Sequence, residues 1–315
     1  MPMFRFFVIL FCFFLTSIYR FTAQDSLHLL KNFDYRVADS LALNFPKKKY
    51  NSFTEIVSPL CSPLPTEHEK FRAIFRWITN NIEYNKSAAQ VSEADKIVRK
   101  NKAVCAGFAS LLKEMCLSAG IECEIITGHT KTDIREIGKK LKKTDHAWNA
   151  VKLYGRWYLV DVTWATSKYN VVTHKFEKNF DAHYFICPPE DFILDHFPKE
   201  STWQLLKYKM SAKTFIRMPL FYADFFHFDL AQFNPFRGSI RCRKNKIIAF
   251  EFYSTNLFSE VEYQYNTDRY AKTSRLFPTE QGRYRIEIPA PARGQHTLSI
   301  YLDRKIVLEY LVKVR

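Results

Sequence analysis

Apolar positions recur at helical spacing in two separate segments of the chain. In the first, Thr66 and Glu69 have the spacing of a capping box and precede an apolar series, which predicts a helix over residues 67–83. In the second, an apolar stripe follows Cys105, and Gly120 lies where such a helix would stop. The second pattern predicts a helix that starts at Cys105.

Alternating apolar and polar positions predict strands after this helix. Residues 121–125 alternate, and two further runs meet at Tyr154-Gly155, where glycine favours a two-residue hairpin turn. If these two residues form the turn, position 148 faces Asp161, so His146 is a diagonal neighbour of Asp161 on one face of the hairpin. A turn shifted by one residue would place the two side chains on opposite faces.

The segment between the predicted strands, residues 128–145, is interpreted as a long charged loop. The simplest interpretation is that its charged side chains are solvated at the surface. The alternatives are that the loop forms a lid or steers an acidic substrate. Its charged residues are Lys131, Asp133, Arg135, Glu136, Lys139, Lys140, Lys142, Lys143 and Asp145.

Short strands separated by turns follow from about residue 238. They predict a small all-β domain, an Ig-like sandwich, over residues 215–315. Residues 24–214 mix helices and strands and form a separate domain, so the chain as a whole is α+β. The predicted strands are Ile240–Tyr253, Val261–Tyr265, Tyr284–Ile288, Thr297–Tyr301 and Ile306–Val312.

Residues 1–23 have the pattern of a signal peptide. Arg5 precedes an apolar run over residues 6–15, which is shorter than the roughly 20 residues that span a bilayer. Cleavage after Ala23 leaves a small residue at the end, although Phe21 is bulky for its position. We therefore expect a secreted or periplasmic protein, with contact to a membrane only if this segment stays uncleaved.

The net charge and the spacing of the cysteines limit which binding partners and cofactors we expect. The formal net charge is +15, but no zinc-finger spacing or RNA-binding strand motif is present, so nucleic acid is not expected. A solvated basic surface is the simplest explanation, and attachment to an anionic cell-envelope polymer is the alternative. The cysteines lack CxxC and zinc-ligand spacings, and His183 and His196 have no suitably spaced partners. We expect no metal and no cofactor.

Three residues have the arrangement of a cysteine acyl-transfer site. Cys105 starts a helix, His146 lies on one strand and Asp161 on the next. A helix amino terminus and an imidazole both favour a thiolate, and a carboxylate behind the imidazole fixes its tautomer. Trp148 and Trp164 flank these positions and would either wall the site or pack in the core.

The motifs around these residues resemble those of the transglutaminase-like superfamily, a branch of the papain-like cysteine enzymes. The matching segments are Val104–Ala109, His146–Asn149 and Trp157–Trp164, and the resemblance is strongest to the kyphoscoliosis-peptidase and cytokinesis-protein branch. It covers about residues 50–210. The resemblance implies a papain-like fold for residues 24–214, with Cys105 as nucleophile, His146 as base and Asp161 as the orienting acid.

One departure from the family concerns the oxyanion site. Full transglutaminases carry a tryptophan between the first helix and the histidine, whereas this chain has none between Trp77 and Trp148. The backbone N–H of Cys105 would serve as one donor. Gln90 is a candidate second donor because a side-chain amide suits the role, and a surface glutamine is the alternative.

The sequence predicts a secreted enzyme that attacks peptide or glutamine-type amides and forms a thioester. Hydrolysis, by a peptidase or amidase, is favoured over cross-linking because water is abundant and no amine site is evident. The expected partner is a protein or peptide substrate. The alternative is a catalytically inactive module of the same fold that binds or organises the cell envelope.

Overall fold

The computed structural model describes residues 23–89, 91–170, 175–280 and 282–315. The predicted signal peptide, apart from Ala23, lies outside the described residues. Within these ranges, no helix is both long and apolar enough to cross a membrane.

The chain is helical in its first third and rich in strands thereafter. The helices are α1 (Ala23–Lys31), α2 (Arg36–Leu43), α3 (Thr54–Cys61), α4 (Glu67–Asn81), α5 (Ala94–Lys100), α6 (Cys105–Ser118), α7 (Pro189–Asp195), α8 (Ala212–Phe215) and α9 (Ala223–His227). The strands up to residue 221 are β1 (Glu83–Tyr84), β2 (Lys102–Ala103), β3 (Cys123–Thr130), β4 (His146–Leu153), β5 (Arg156–Val160), β6 (Ser167–Asn170), β7 (Lys175–Lys178), β8 (His196–Pro198) and β9 (Leu220–Phe221). Those after it are β10 (Ala231–Asn234), β11 (Ser239–Cys242), β12 (Ile247–Tyr253), β13 (Val261–Tyr265), β14 (Lys272–Thr273), β15 (Leu276–Glu280), β16 (Arg283–Pro289), β17 (Gly294–Leu302) and β18 (Lys305–Val314).

Both helices predicted from apolar spacing are present. The Thr66 side chain caps α4 by accepting a hydrogen bond from the backbone N–H of Glu69, which satisfies a donor at the helix start. Helix α6 begins at Cys105, and Gly120 follows its end with a φ of +76°, a conformation that glycine adopts without strain. The helix over 67–83 and the helix starting at Cys105 are confirmed, with the first ending two residues early.

The predicted hairpin also has the register that the sequence gives it. Tyr154 and Gly155 take φ values of 51° and 77° between β4 and β5, as a two-residue turn requires. The strands are antiparallel, with Asn149 opposite Val160, so position 148 lies opposite Asp161. These strands belong to a sheet of order β5-β4-β3-β8, and α6 packs against β3 and β4.

Buried apolar side chains form two clusters, one within residues 30–192 and one within residues 215–314. The second cluster lies among strands of two sheets, with orders β10-β12-β16-β15 and β11-β18-β17-β13-β14, and β9 also pairs with β18. The classification of this part as an Ig-like sandwich stays a prediction, as does the domain boundary at residue 215.

One predicted strand was wrong. Residues 240–253 form two strands, β11 and β12, in different sheets rather than one continuous strand. Four consecutive polar residues, 243–246, separate them, and Asn245 takes a φ of 62°, which breaks the extended conformation.

Lys131 is an exception in the charged loop. Lys139, Lys140, Lys142 and Lys143 are exposed as expected, but the Lys131 side chain is buried. Its Nζ donates hydrogen bonds to the carbonyl oxygens of Phe215, at 2.6 Å, and Met218, at 3.1 Å. Burial lowers the pKa of this amine to about 7. Lys131 therefore connects the loop to the start of the C-terminal cluster.

Candidate active site

The three predicted site residues each lie at the end of a regular element. Cys105 is the first residue of α6, His146 is the first residue of β4, and Asp161 directly follows β5. Val104 precedes α6 in an extended conformation and no side chain caps this helix. The first N–H groups of α6 therefore point toward the region of the Cys105 thiol, where a helix amino terminus favours negative charge.

His146 and Asp161 are in direct contact. His146 Nε2 lies 2.5 Å from Asp161 Oδ2, and both side chains are almost completely shielded from solvent. The sequence argument that placed them on one face of the hairpin is confirmed. Because Nε2 is engaged with the carboxylate, Nδ1 is the ring nitrogen left for the thiol.

Cys105 is half-buried and interacts with His146. Burial acts to raise the pKa of its thiol, but a hydrogen bond with His146, the charge of that imidazole and a hydrogen bond from the Ala147 backbone together lower it below its ordinary value. Thiolates, not thiols, are the nucleophilic form of cysteine. The surroundings of Cys105 therefore favour its reactive form.

The imidazole and the carboxylate stabilise each other's charged forms. Burial opposes a charge on His146, yet the charge of Asp161 and the hydrogen bond to it raise the pKa of His146 to about 10. Burial likewise opposes a charge on Asp161. The charge of His146 and the hydrogen bond from it have the larger effect, and they hold the pKa of that carboxyl well below its usual range. A protonated imidazole beside a thiolate is the resting state these directions favour.

Asp161 is held by four hydrogen bonds. Its Oδ1 accepts from the backbone N–H groups of Thr163, at 2.7 Å, and Trp164, at 3.0 Å. Its Oδ2 accepts from His146 and also from His196 Nε2, at 3.0 Å. Every acceptor position of this fully buried carboxylate is occupied, as a buried charge requires.

His196 was not expected at this site, because its spacing along the sequence indicated no metal-ligand partner. It begins β8, which pairs with β3, and this pairing brings it beside Asp161 from 35 residues further along the chain. The ligand-type atoms of His146, Asp161 and His196 lie within 4.8 Å of one another, a grouping that would suit a metal ion. Both imidazoles, however, direct Nε2 at one carboxylate oxygen, which is the geometry of N–H···O hydrogen bonds.

A second buried cysteine–histidine contact shows what the carboxylate contributes. Cys187 Sγ lies 3.3 Å from His183 Nε2, and both side chains are buried. Here burial raises the pKa of Cys187 and lowers the pKa of His183 to about 3, so both groups stay neutral. Proximity of a thiol and an imidazole does not by itself produce an ion pair: contact with Asp161 raises the pKa of the His146 imidazole, whereas burial outweighs the charge of Asp181 at His183.

The two flanking tryptophans pack around the imidazoles. The Trp148 ring is buried, with its centroid 6.0 Å from that of His146 and 5.1 Å from that of His196. Trp164 is half-buried, at 5.7 Å and 4.4 Å from the same two rings. Gln90, the candidate oxyanion donor, lies outside the described residues.

The comparisons with known proteins identify the family of this part of the chain. A family model described as the transglutaminase-like superfamily matches residues 54–162. This part of the chain is therefore a transglutaminase-like domain, with the mixed helices and strands of the papain-like fold.

Its relatives lie in the branch that the motifs resemble, which confirms that prediction. Human kyphoscoliosis peptidase is 32% identical over 271 residues, covering 82% of this chain and 40% of that protein. Hillarin of Drosophila melanogaster is 27% identical, covering 62% and 26%, and cytokinesis protein 3 of Schizosaccharomyces pombe is 23% identical, covering 48% and 17%. The chain thus spans about 40% of the kyphoscoliosis peptidases. The human match covers 82% of this chain, whereas residues 1–210 make up only two thirds of it. The match therefore extends beyond the 50–210 segment that carries the motifs.

Proposed function

We propose that the chain is a cysteine acyl-transfer enzyme in which Cys105 is the nucleophile, His146 the acid and base, and Asp161 the orienting acid. The observation that supports this most is the placement of His146. Its Nε2 is bonded to a buried, fully satisfied carboxylate, and the thiol of Cys105 interacts with the same ring. This is the arrangement that activates a thiol for attack on a carbonyl carbon.

The reaction would proceed in two halves. The Cys105 thiolate attacks the amide carbonyl, and the tetrahedral oxyanion collapses to a thioester as the C–N bond breaks and His146 transfers its proton to the departing amine. Water then attacks the thioester carbonyl while His146 takes its proton, and breaking of the C–S bond releases a carboxylic acid and regenerates the Cys105 thiolate beside the protonated imidazole. This cycle needs an ionised thiol and a protonated imidazole, so the rate would fall as the pH rises past the pKa of His146, about 10.

The oxyanion would be held at the start of α6. The uncapped first turn of that helix supplies backbone N–H groups next to Cys105, and donors of this kind contribute a large part of the acceleration in acyl transfer. Gln90 remains our candidate for the second donor, since it precedes α6 in the chain and carries an amide.

The substrate class we propose is a peptide or glutamine-type amide, and the favoured acceptor is water. Secretion or a periplasmic location follows in this proposal from the pattern of residues 1–23, and the two C-terminal sheets would form an Ig-like sandwich beside the enzyme domain. No metal or cofactor takes part in the proposed reaction.

The choice of acceptor is tested by product analysis. The protein is incubated with a pool of glutamine-containing peptides and an excess of a biotinylated primary amine, and the products are resolved by mass spectrometry. We expect carboxylic-acid products, from deamidation or chain cleavage, to outnumber amine adducts, because water is abundant and the sequence indicates no amine site. A majority of amine adducts would instead assign a cross-linking activity to the same thioester.

A second candidate function is attachment to an anionic polymer, and one surface feature favours it. Seven exposed basic residues lie together at one end of the C-terminal sheets, and among the described residues none of them forms an ion pair. We call this set the basic end: Arg241, Arg243, Lys244, Lys246, Arg293, Lys313 and Arg315. The parallel pairing of β11 with β18 places Arg241 next to Lys313, and the backbone N–H of Lys244 donates a hydrogen bond to the carbonyl oxygen of Arg315.

The basic end accounts for the positive charge of its region. Residues 215–315 contain 16 Lys and Arg against 10 Asp and Glu, a net charge of +6, and the basic end contributes seven of those positive charges. The remainder of the region is therefore close to neutral. A concentrated field of one sign attracts polyanions more effectively than the same charge spread evenly.

Attachment through the basic end is tested on sulfated dextran beads. The triple variant Arg241→Glu, Lys244→Glu, Lys313→Glu is expected to elute at clearly lower salt than the wild type, because it replaces three positive charges with three negative ones. The matched control, Lys139→Glu, Lys140→Glu, Lys142→Glu, changes the same charge on the exposed loop and should elute close to the wild type. Attachment at this end would be contradicted if both variants eluted at equally reduced salt, or if retention on the beads did not depend on salt.

A further inference from the structure

Asp161 receives two imidazoles on the same carboxylate oxygen. His146 Nε2 lies 2.5 Å from Oδ2, and His196 Nε2 lies 3.0 Å from that atom. A ring nitrogen that turned its lone pair toward a carboxylate would be repelled, so both nitrogens present N–H groups. The orientation of Asp161 toward His146 is therefore fixed from two sides.

His196 is itself anchored from the opposite side of its ring. Its Nδ1 lies 2.5 Å from Asp195 Oδ1, and the Tyr184 hydroxyl donates to Asp195 Oδ2 at 3.1 Å. With a carboxylate at each nitrogen, the ring satisfies both contacts when it carries both protons. Burial acts to lower the pKa of His196, but the charge of Asp195 and the hydrogen bonds to both carboxylates raise it above its ordinary value.

Packing leaves the His196 ring no room to rotate. Its side chain is completely buried, stacked on Phe192 with ring centroids 4.1 Å apart and in contact with Trp164 at 4.4 Å. Side chains held by such packing and by hydrogen bonds at both ends keep a functional group in one geometry.

We propose that His196 is a positioning residue of the acyl-transfer site, which holds Asp161 in the orientation that His146 needs through the hydrogen bond from His196 Nε2 to Oδ2. The inference rests on the proposed function of Cys105, His146 and Asp161. His196 touches neither the thiol nor the substrate carbonyl in this account, and it acts on catalysis only through Asp161. The alternative is that His196 merely compensates buried charge and stabilises the fold.

Two amide substitutions separate these roles. In His196→Gln, the amide nitrogen takes the place of Nε2 and can still donate to Asp161. In His196→Asn, the shorter amide takes the place of Nδ1 and reaches only toward Asp195. Both variants lose the same ring and the same charge, so they differ mainly in the contact that the proposal invokes. His183→Asn removes a buried imidazole whose Nε2 contacts Cys187 rather than Asp161 or Asp195, and it serves as the control.

The readout is the rate of Cys105 alkylation by iodoacetamide across pH, with folding checked by circular dichroism. We expect labelling at pH 6 to fall severalfold in His196→Asn, less than on removal of the His146 ring itself, because His196 acts on the thiol only through Asp161 and His146. His196→Gln and His183→Asn should retain most of the wild-type rate and profile. Equal profiles in the Asn and Gln variants would overturn the proposal.

A second measurement is made on the wild-type protein. Histidine ring ¹⁵N signals of the wild type should show His196 protonated at Nε2 at pH 7, with the signal assigned by its loss in His196→Gln. An unprotonated Nε2 contradicts the proposal even if His196→Asn fails to fold. A wild-type Cys105 that labels like an ordinary thiol would instead refute the proposed function, so the two failures are distinguishable.

Discussion

Exchange of Cys105 for serine is expected to reduce turnover of an amide substrate by about 10³-fold or more, because loss of the nucleophile removes the covalent step on which the other site residues act. The unfolding temperature should hardly change. Cys105 is only half-buried at the first position of α6, and serine differs from cysteine by a single atom.

The chain offers a matched control for this exchange. Cys242 is the other half-buried free cysteine among the described residues, and it lies in β11, far along the chain from the site. Cys242→Ser should retain wild-type turnover of peptides from the glutamine-containing pool, measured by mass spectrometry. If Cys105→Ser retained it as well, Cys105 would not be the nucleophile.

Replacement of His146 with alanine is expected to turn Cys105 into an ordinary thiol. The hydrogen bond to the imidazole and the charge of that ring both lower the pKa of the thiol, as does a hydrogen bond from the Ala147 backbone, whereas burial and the charge of Asp161 raise it. Once the ring is gone, the Ala147 hydrogen bond alone opposes burial and the charge of Asp161, so we expect the neutral thiol to be favoured. A free cysteine titrates near about pH 8.5, so labelling of the variant should begin to rise only at about that pH or above it.

The change in rate should be smaller than the change in thiolate population. A thiolate of low pKa is intrinsically a weaker nucleophile, which offsets part of its advantage in abundance. At pH 6 we therefore expect labelling of the His146→Ala variant to be slower by roughly tenfold, although its thiolate fraction would fall much further. The pH profile is a sharper criterion than the rate at one pH.

The sequence was sufficient for the His146–Asp161 contact because that contact is local in the sheet. A two-residue turn at Tyr154-Gly155 and the two-residue period of a strand together determine that His146 and Asp161 share a face. The start of α6 at Cys105 was equally accessible from apolar spacing and from Gly120. The hairpin needed no knowledge of the remainder of the fold, and its His146–Asp161 contact is confirmed.

The contacts that sequence reasoning missed all depend on distant parts of the chain. His196 reaches Asp161 only because β8 pairs with the far edge of β3, and no periodicity in the sequence specifies that pairing. The adjacent Asp195-His196 pair was the one available signal, since a carboxylate beside an imidazole suggests a shared proton. Lys131 was missed for a similar reason, because its carbonyl partners lie 84 and 87 residues away.

The most direct test of the account is the pH dependence of Cys105 alkylation by iodoacetamide, read by peptide mass spectrometry in the wild type and in His146→Ala. The account predicts fast labelling of the wild type already at pH 6, and a variant whose labelling rises only near about pH 8.5. Identical profiles in the two proteins, both rising near that pH, would show an inert thiol and would contradict the thiolate–imidazolium pair on which the proposed function depends.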